Sequence, residues 1–110
     1  MIQLTDLDPV TIPINTTTSD PIECGAKVPI CIVMPAAFTG TAVTIQSSFD
    51  GSSYQTVYVG GSDYTVSVAA SKNVPLIGLY LAHARFIKIV SNATETTARA
   101  FSIITRRGDK

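Results

Sequence analysis

The sequence predicts an all-β protein, a single antiparallel β-sandwich of the jelly-roll kind with seven to eight strands. Hydrophobic residues make up 45% of the 110 residues, 14 Thr and 10 Ser supply much of the polar surface, and charged residues contribute only 15%. Thr, Val, Ile and Tyr fit a pleated strand better than a helix. Alternating runs recur at a spacing of about eight to twelve residues with turn residues between them, which is typical of a sandwich.

The amino-terminal segment, residues 1–26, is expected to be an extended arm with one edge strand, and residues 27–110 form the predicted sandwich domain. Pro13 and the threonine run that begins at Thr16 interrupt any core pattern. Because proline cannot donate a ladder hydrogen bond, residues 10–14 are predicted to be the edge strand. A chain of this length is one domain that can bury about 60–70% of its unfolded surface.

The first strands of the domain follow from apolar patterning. Residues 27–34 are almost continuously apolar, and Pro29 within them requires an edge position or a bulge. Cys31 in the same run is expected to be a small core residue. Residues 41–49 alternate and predict a half-buried strand with one apolar face, formed by Val43, Ile45 and Phe49.

The next feature is a turn at Asp50 and Gly51, between the strands predicted over 41–49 and 54–59. Asp tolerates left-handed backbone and Gly adopts positive φ freely, so this pair between alternating runs favours a hairpin. We therefore interpret Asp50 as a turn residue rather than as a catalytic acid or a metal ligand.

The second half of the chain completes the sandwich. Residues 63–69 alternate, and strands are also predicted over residues 84–91 and 98–105. The inward face of the 63–69 run consists of Tyr64, Val66 and Val68. The segment 76–82 is too apolar for an ordinary exposed loop, which indicates either a contact surface or burial beneath the domain's own end.

The net charge is zero, yet acidic residues concentrate in the first half of the chain and basic residues in the second. The two halves should attract, either within one sandwich or between docked partners. The basic residues form no cluster with aromatic residues, which argues against nucleic-acid binding. No segment approaches the ~20 apolar residues of a membrane span and no secretory leader is recognised, so we expect a soluble protein made in the cytoplasm.

Residues able to carry chemistry are few. His83 is the single histidine, and Cys24 and Cys31 have the spacing of neither a zinc site nor a disulfide framework. The sequence contains no nucleophile elbow, no phosphate-binding glycine loop and no His-Glu-x-x-His motif. We therefore expect a structural His83, no enzymatic activity and no cofactor or metal.

One stretch carries a family resemblance: "MPAAFTGTAVTIQSSFDGSSYQ", residues 34–55, with "ARFIKIVS" and "RAFSIITRR" farther along. Over about residues 28–107 the chain resembles short virion structural proteins of tailed bacteriophages and prophages, although Phe38 stands where that group has Trp. The resemblance implies a jelly-roll-like capsid decoration protein, a cement or staple that binds the major capsid protein on the outside of the head. It brings no catalytic residues.

In that role the arm would strap the domain onto the shell, and a homodimer is the favoured oligomer because closed two-fold pairing is the commonest solution. The alternative is a receptor- or glycan-binding sandwich of a phage tail or cell surface. The absence of Trp argues against a sugar platform, since the tyrosines can be assigned to strands. The residues predicted to contact a partner are Asp6, Asp8, Asp20, Phe38, Leu79, Tyr80, Arg106 and Arg107.

Overall fold

The chain alternates between two antiparallel sheets in the computed structural model, which describes residues 5–107. The regular structure is almost entirely strand, with one short 3₁₀ turn at Gly78–Tyr80. The strands are β1 (Thr5–Ile12), β2 (Thr16–Thr18), β3 (Ile22–Glu23), β4 (Lys27–Val33), β5 (Ala42–Ser48), β6 (Gln55–Thr56), β7 (Tyr58–Val59), β8 (Ser62–Asp63), β9 (Thr65–Ser67), β10 (Asn73–Pro75), β11 (Phe86–Glu95) and β12 (Arg99–Arg107).

The strand order is that of a jelly roll. Sheet A has the order β1-β12-β4-β10, and sheet B has the order β2-β11-β5-β6. In sheet B, β3 also pairs with β11 and β9 also pairs with β5, while β7 and β8 form a separate small hairpin. Most connections cross from one sheet to the other, so each sheet is built from strands distant in sequence, as in two nested Greek keys. The predicted antiparallel β-sandwich is confirmed.

The core lies between the two sheets and is built mainly from aliphatic side chains at alternating positions. Facing partners in sheet B, such as Ile45 and Ile89, are both fully buried, as are Ile32 and Ile103 in sheet A. Alternation places every second side chain of a strand on the same face, so the intervening residues point to solvent. Branched side chains fill the space at close to crystalline density, which holds the two sheets in fixed relation.

Residues 1–26 were predicted to be an extended arm, but the strands of this segment pair within the sandwich. Residues 5–12 form β1, which pairs along its whole length with β12, and Val10 and Ile12 are buried in the core. Farther along, β2 and β3 pair with β11 in the opposite sheet. From residue 5 onward, this segment is therefore part of both sheets, with β1 at the edge of sheet A. Residues 1–4 lie outside the described residues.

The sequence predicted that Pro29 lies at an edge or at a bulge, and the structure places it at a bulge in β4. The register between β4 and β12 shifts between Ile104 and Thr105, so Ile30 is the extra residue of a bulge. This lets a proline occupy a strand that lies between two neighbours. The core assignment of Cys31 is wrong, because Cys31 is half-buried and opposite half-buried Ile104, whereas Cys24 is buried.

A second correction concerns Phe49, which was expected on the apolar face of β5. The strand ends at Ser48, which is itself buried, and Phe49 then turns outward with 74% of its surface exposed. The alternation that links Val43 and Ile45 therefore stops before Phe49. This break places an aromatic side chain on the surface.

A buried carboxylate fixes the loop that enters β5. Glu95 is fully buried and accepts hydrogen bonds from the backbone N–H groups of Thr39 and Gly40, from the Ser91 hydroxyl and from Arg99 Nε at 2.8 Å. Burial by itself raises the pKa of Glu95, but these hydrogen bonds outweigh it and hold the pKa below its usual range. The charged Glu95 side chain therefore links β11 to the 38–41 loop through hydrogen bonds.

Candidate functional site

A groove of about 550 Å³ opens at one end of sheet B, where β5 runs into the loop 49–54. It is wide and open to solvent rather than a closed cavity. Its lining combines hydroxyl, amide, imidazole and phenyl groups. The lining residues are Ser47, Ser48, Phe49, Ser53, Gln55 and His83.

Strand register brings two of the polar side chains to the groove. Ser47 on β5 is the direct partner of Gln55 on β6, so both side chains leave the same side of the sheet. Ser47 is two residues from core Ile45 and therefore lies on the side of β5 that faces the core farther along the strand. The groove thus begins where the inner side of β5 changes from aliphatic to polar, with Ser47 following Ile45.

The loop 49–54 is held by Asp50. Its Oδ1 accepts the backbone N–H groups of Ser52 and Ser53 at 2.8 and 2.9 Å and the Ser48 hydroxyl at 3.1 Å, while Gly51 has φ 81°. The backbone hydrogen bonds from Ser53 and Ser52 lower the pKa of Asp50, so it is a carboxylate at neutral pH. Antiparallel pairing of β5 with β6 on either side confirms the predicted hairpin. Asp50 is the residue that shapes this loop.

Phe49 is the aromatic platform of the groove. It is one of the most exposed large hydrophobic side chains in the described chain, and it lines the groove directly. The guanidinium carbon of Arg85 lies 5.5 Å from its ring centroid, a cation–π contact. Arg85 lies just before β11, and its backbone N–H donates to the Ser48 carbonyl at 3.1 Å. This hydrogen bond places Arg85 beside the platform.

His83 lines the groove beside Ser47. It is exposed, and its Nε2 lies 3.0 Å from Ser47 Oγ. A hydroxyl beside an imidazole is the pairing of a nucleophile with a general base, but that chemistry also needs a group that orients the imidazole. No partner for His83 Nδ1 is recorded among residues 5–107. Within that range no three His, Cys, Asp or Glu side chains cluster to hold a metal ion either.

The lining residues offer several groups that can contact a ligand. Hydroxyl and amide groups both donate and accept hydrogen bonds, and an imidazole does so through its two nitrogens. Beside them Phe49 offers an apolar face. The groove therefore offers hydrogen-bonding groups and one apolar surface side by side.

The sequence did not predict the groove, because Phe49 was assigned to the core, His83 was considered alone and Ser47 was not singled out. One available clue was the run of serines around the Asp-Gly turn, since a strand that ends in "QSSF" must expose either a serine or the phenyl ring. The contact between His83 and Ser47 spans 36 positions in the chain and depends on the fold.

The acidic residues predicted to contact a partner make contacts within the chain. Asp6 pairs with Arg107 at 3.3 Å, and Asp8 pairs with Lys27 at 3.0 Å while accepting the Thr105 hydroxyl at 2.7 Å. One ion pair links β1 to the adjacent β12, and the other links it to β4 on the far side of β12. Asp20 is exposed after β2, and its backbone N–H donates to Thr11 at 2.9 Å.

The remaining predicted contact residues lie in different environments. Phe38 packs edge-on against Phe101 at 6.1 Å, and Tyr80 packs edge-on against Tyr64 at 5.2 Å, so both support the core from its margin. Leu79 is 83% exposed, and Arg106 is exposed on β12. Of the predicted contact residues, the structure brings Asp6 and Arg107 together as an ion pair between β1 and β12.

The outer face of sheet A carries an apolar row. Leu7 is opposite Ile104, Ile104 is opposite Cys31, and Cys31 is opposite Pro75, so one row crosses all four strands. Leu7 is 65% exposed, and Pro75 is also exposed. This apolar row lies on a different sheet from the groove. The described part of the chain has no helix long and apolar enough to cross a membrane.

Comparisons with known proteins give a distant structural likeness. No family model matches the chain, and no curated protein matches it. Among solved structures it is similar to CBM32-1 from a family 31 glycoside hydrolase from Clostridium perfringens, with 13% identity and a TM-score of 0.43. The match covers 91% of this chain and 76% of that chain. Such a likeness is consistent with a β-sandwich and carries no argument about function.

Proposed function

We propose that this chain is a non-catalytic binding module whose groove at the end of sheet B holds a carbohydrate. The observation that carries the proposal is the exposed ring of Phe49 beside the polar groups of Ser47, Gln55 and His83. Sugar rings present apolar C–H faces and a rim of hydroxyls. They therefore match a site with an aromatic face and neutral hydrogen-bonding groups that can both donate and accept.

The site has the general form of a small-molecule pocket, with one apolar surface and a few convergent polar groups. Its openness to solvent favours a terminal or side-chain sugar of a larger glycan over a fully enclosed free ligand. The loop is held by Asp50 and the strands by their register, so the site is formed before the ligand arrives. A preformed site loses less conformational entropy on binding.

A glycan array tests the proposal with a matched pair of variants. Phe49→Ala should abolish most array binding, whereas Tyr58→Ala should leave it intact, because Tyr58 is 66% exposed but does not line the groove. Both positions are exposed, so neither variant should unfold the chain. No binding by the wild type, or equal losses in the two variants, would contradict a sugar site at Phe49.

Capsid decoration is the second candidate, and the apolar row on the outer face of sheet A favours it. A staple needs a face that docks on the shell, and an apolar row across four strands is a candidate for that contact. The family resemblance of residues 28–107 points the same way. In this role the protein would bind the major capsid protein on the virion exterior, as a homodimer or other homo-oligomer.

Co-sedimentation with undecorated heads, assembled from the major capsid protein of a tailed bacteriophage, tests the second candidate. The wild type should bind and raise the resistance of the heads to heat, and Leu7→Lys should reduce occupancy because it places a charge in the apolar row. Phe49→Ala is the control that should still bind. Heads that neither retain the protein nor gain heat resistance would exclude this role.

A further inference from the structure

Within residues 5–107, the cation beside the groove has no ion-pair partner. Arg85 is exposed, and its side chain makes the cation–π contact with Phe49. Among residues 5–107 the ion pairs involve Lys27, Arg99 and Arg107, and none involves Arg85. A cation–π contact uses the charge of a guanidinium but none of its five N–H donors. Arg85 therefore has donors free for a ligand at the edge of the platform.

The groove itself contains no acidic side chain to neutralise that cation. The lining groups are serine, phenylalanine, glutamine and histidine side chains. Asp50 is the nearest acid along the loop; its Oδ1 accepts hydrogen bonds from Ser48, Ser52 and Ser53, and within residues 5–107 it forms no ion pair with Arg85. Glu23 on β3 pairs in register with Phe86, next to Arg85, and forms no ion pair with it.

We propose that the groove is specific for acidic saccharides, with Arg85 binding the carboxylate while the sugar ring packs at Phe49. This inference rests on the proposed carbohydrate function and names its ligand class. A planar guanidinium matches a carboxylate with two parallel hydrogen bonds, which is stronger and more directional than a contact with a neutral hydroxyl. The hydroxyls of the same ring would meet Ser47, Gln55 and His83.

Isothermal titration with matched sugars tests the ligand class, because each pair differs only at one carbon. Galacturonic acid is compared with galactose, and glucuronic acid with glucose. For at least one pair the acid should bind about tenfold more tightly or better, since a hydrogen bond to a charged group is stronger than a neutral one. The preference should shrink as salt is raised, because the site is exposed.

Variants locate the preference. Arg85→Gln should reduce the ratio of acid to neutral affinity to near one, and Arg85→Lys should keep part of it, since a lysine retains the charge but not the two-pronged geometry. Lys72→Gln is the control, because this exposed cation lies just before β10 in the other sheet. Thermal melts of each variant verify folding.

The outcomes separate the two proposals. If neutral sugars bind as tightly as their acids, or if Arg85→Gln keeps the ratio, the acidic specificity is overturned and the carbohydrate function stands. If neither member of either pair binds and the array is also blank, the carbohydrate function fails and the acidic specificity fails with it.

Discussion

Replacing Ile12 by alanine tests whether the first strand belongs to the core. Ile12 is the last residue of β1, is fully buried and pairs in register with Arg99. Truncating a buried isoleucine removes apolar contacts and leaves a cavity, at a cost of about 2–5 kcal/mol. Small domains are stable by only about 5–15 kcal/mol, so the loss should be a large part of the total.

Leu7→Ala supplies the matched control on the same strand. Leu7 is 65% exposed on the outer face of sheet A, so its truncation should change the free energy of unfolding by about 0.5 kcal/mol or less. Both variants shorten an aliphatic side chain to alanine. They differ in which side of β1 they occupy.

Urea unfolding followed by far-ultraviolet circular dichroism measures both effects. The Ile12→Ala midpoint should fall by roughly 0.7–5 M urea, given a loss of about 2–5 kcal/mol and a typical dependence of about 1–3 kcal/mol per M. The Leu7→Ala midpoint should remain near that of the wild type. Equally small shifts in both variants would show that β1 is not part of the core, because residues 5–12 would then behave as an arm. Deletion of residues 1–20 removes all of β1 and should prevent folding for the same reason.

Three further predictions concern charged groups. Glu95→Ala should lower the free energy of unfolding by about 3–5 kcal/mol, because it leaves Arg99 and two loop N–H groups without the buried carboxylate that they contact. Asp6→Ala removes an exposed ion pair and should lower it by less than about 1 kcal/mol in the same chemical unfolding assay. Because folding lowers the pKa of Glu95, its ionised form stabilises the fold at pH values above the pKa that the residue has in the unfolded chain. This stabilisation is lost as the pH falls through the lower pKa of the folded state. In a series of unfolding measurements at decreasing pH, Glu95→Gln should lack that part of the loss. Asp50→Asn should leave the urea midpoint and the array profile unchanged, since an amide oxygen can accept the same backbone N–H groups.

The sequence predicted the fold class because alternation and turn residues are local properties. The strands over 27–34, 41–49, 84–91 and 98–105 correspond to β4, β5, β11 and β12 to within a few residues at each end. The Asp-Gly turn was recognised for the same reason. Short strands such as β2, β3 and β10 have only two or three residues each, too few to show a period.

The arm was mispredicted because its apolar residues are few and separated by prolines. Val10 and Ile12 become core residues only through pairing with β12, which lies about 90 residues farther along the chain. Contacts of this separation leave no local pattern. The apolar row from Leu7 to Pro75 has the same origin, since its members come from four different strands.

The candidate site was the least predictable feature. The residues of the site are common ones, and they form a groove because alternation stops at the end of β5 and Phe49 turns outward. Periodicity alone assigns such a phenylalanine to the core. Arg85 and His83 come close to it through the pairing of β11 with β5, and no spacing rule connects them to the Asp-Gly loop.

Chemical-shift mapping of the isotope-labelled protein, titrated with a panel of neutral and acidic mono- and disaccharides, tests the carbohydrate site most directly. We expect saturable shifts in amides of residues 47–49, 53–55 and 83–85, with the side-chain amide of Gln55 among them, and their loss in Phe49→Ala. Shifts confined to the outer face of sheet A, or no saturable shift with any sugar in the panel, would contradict it.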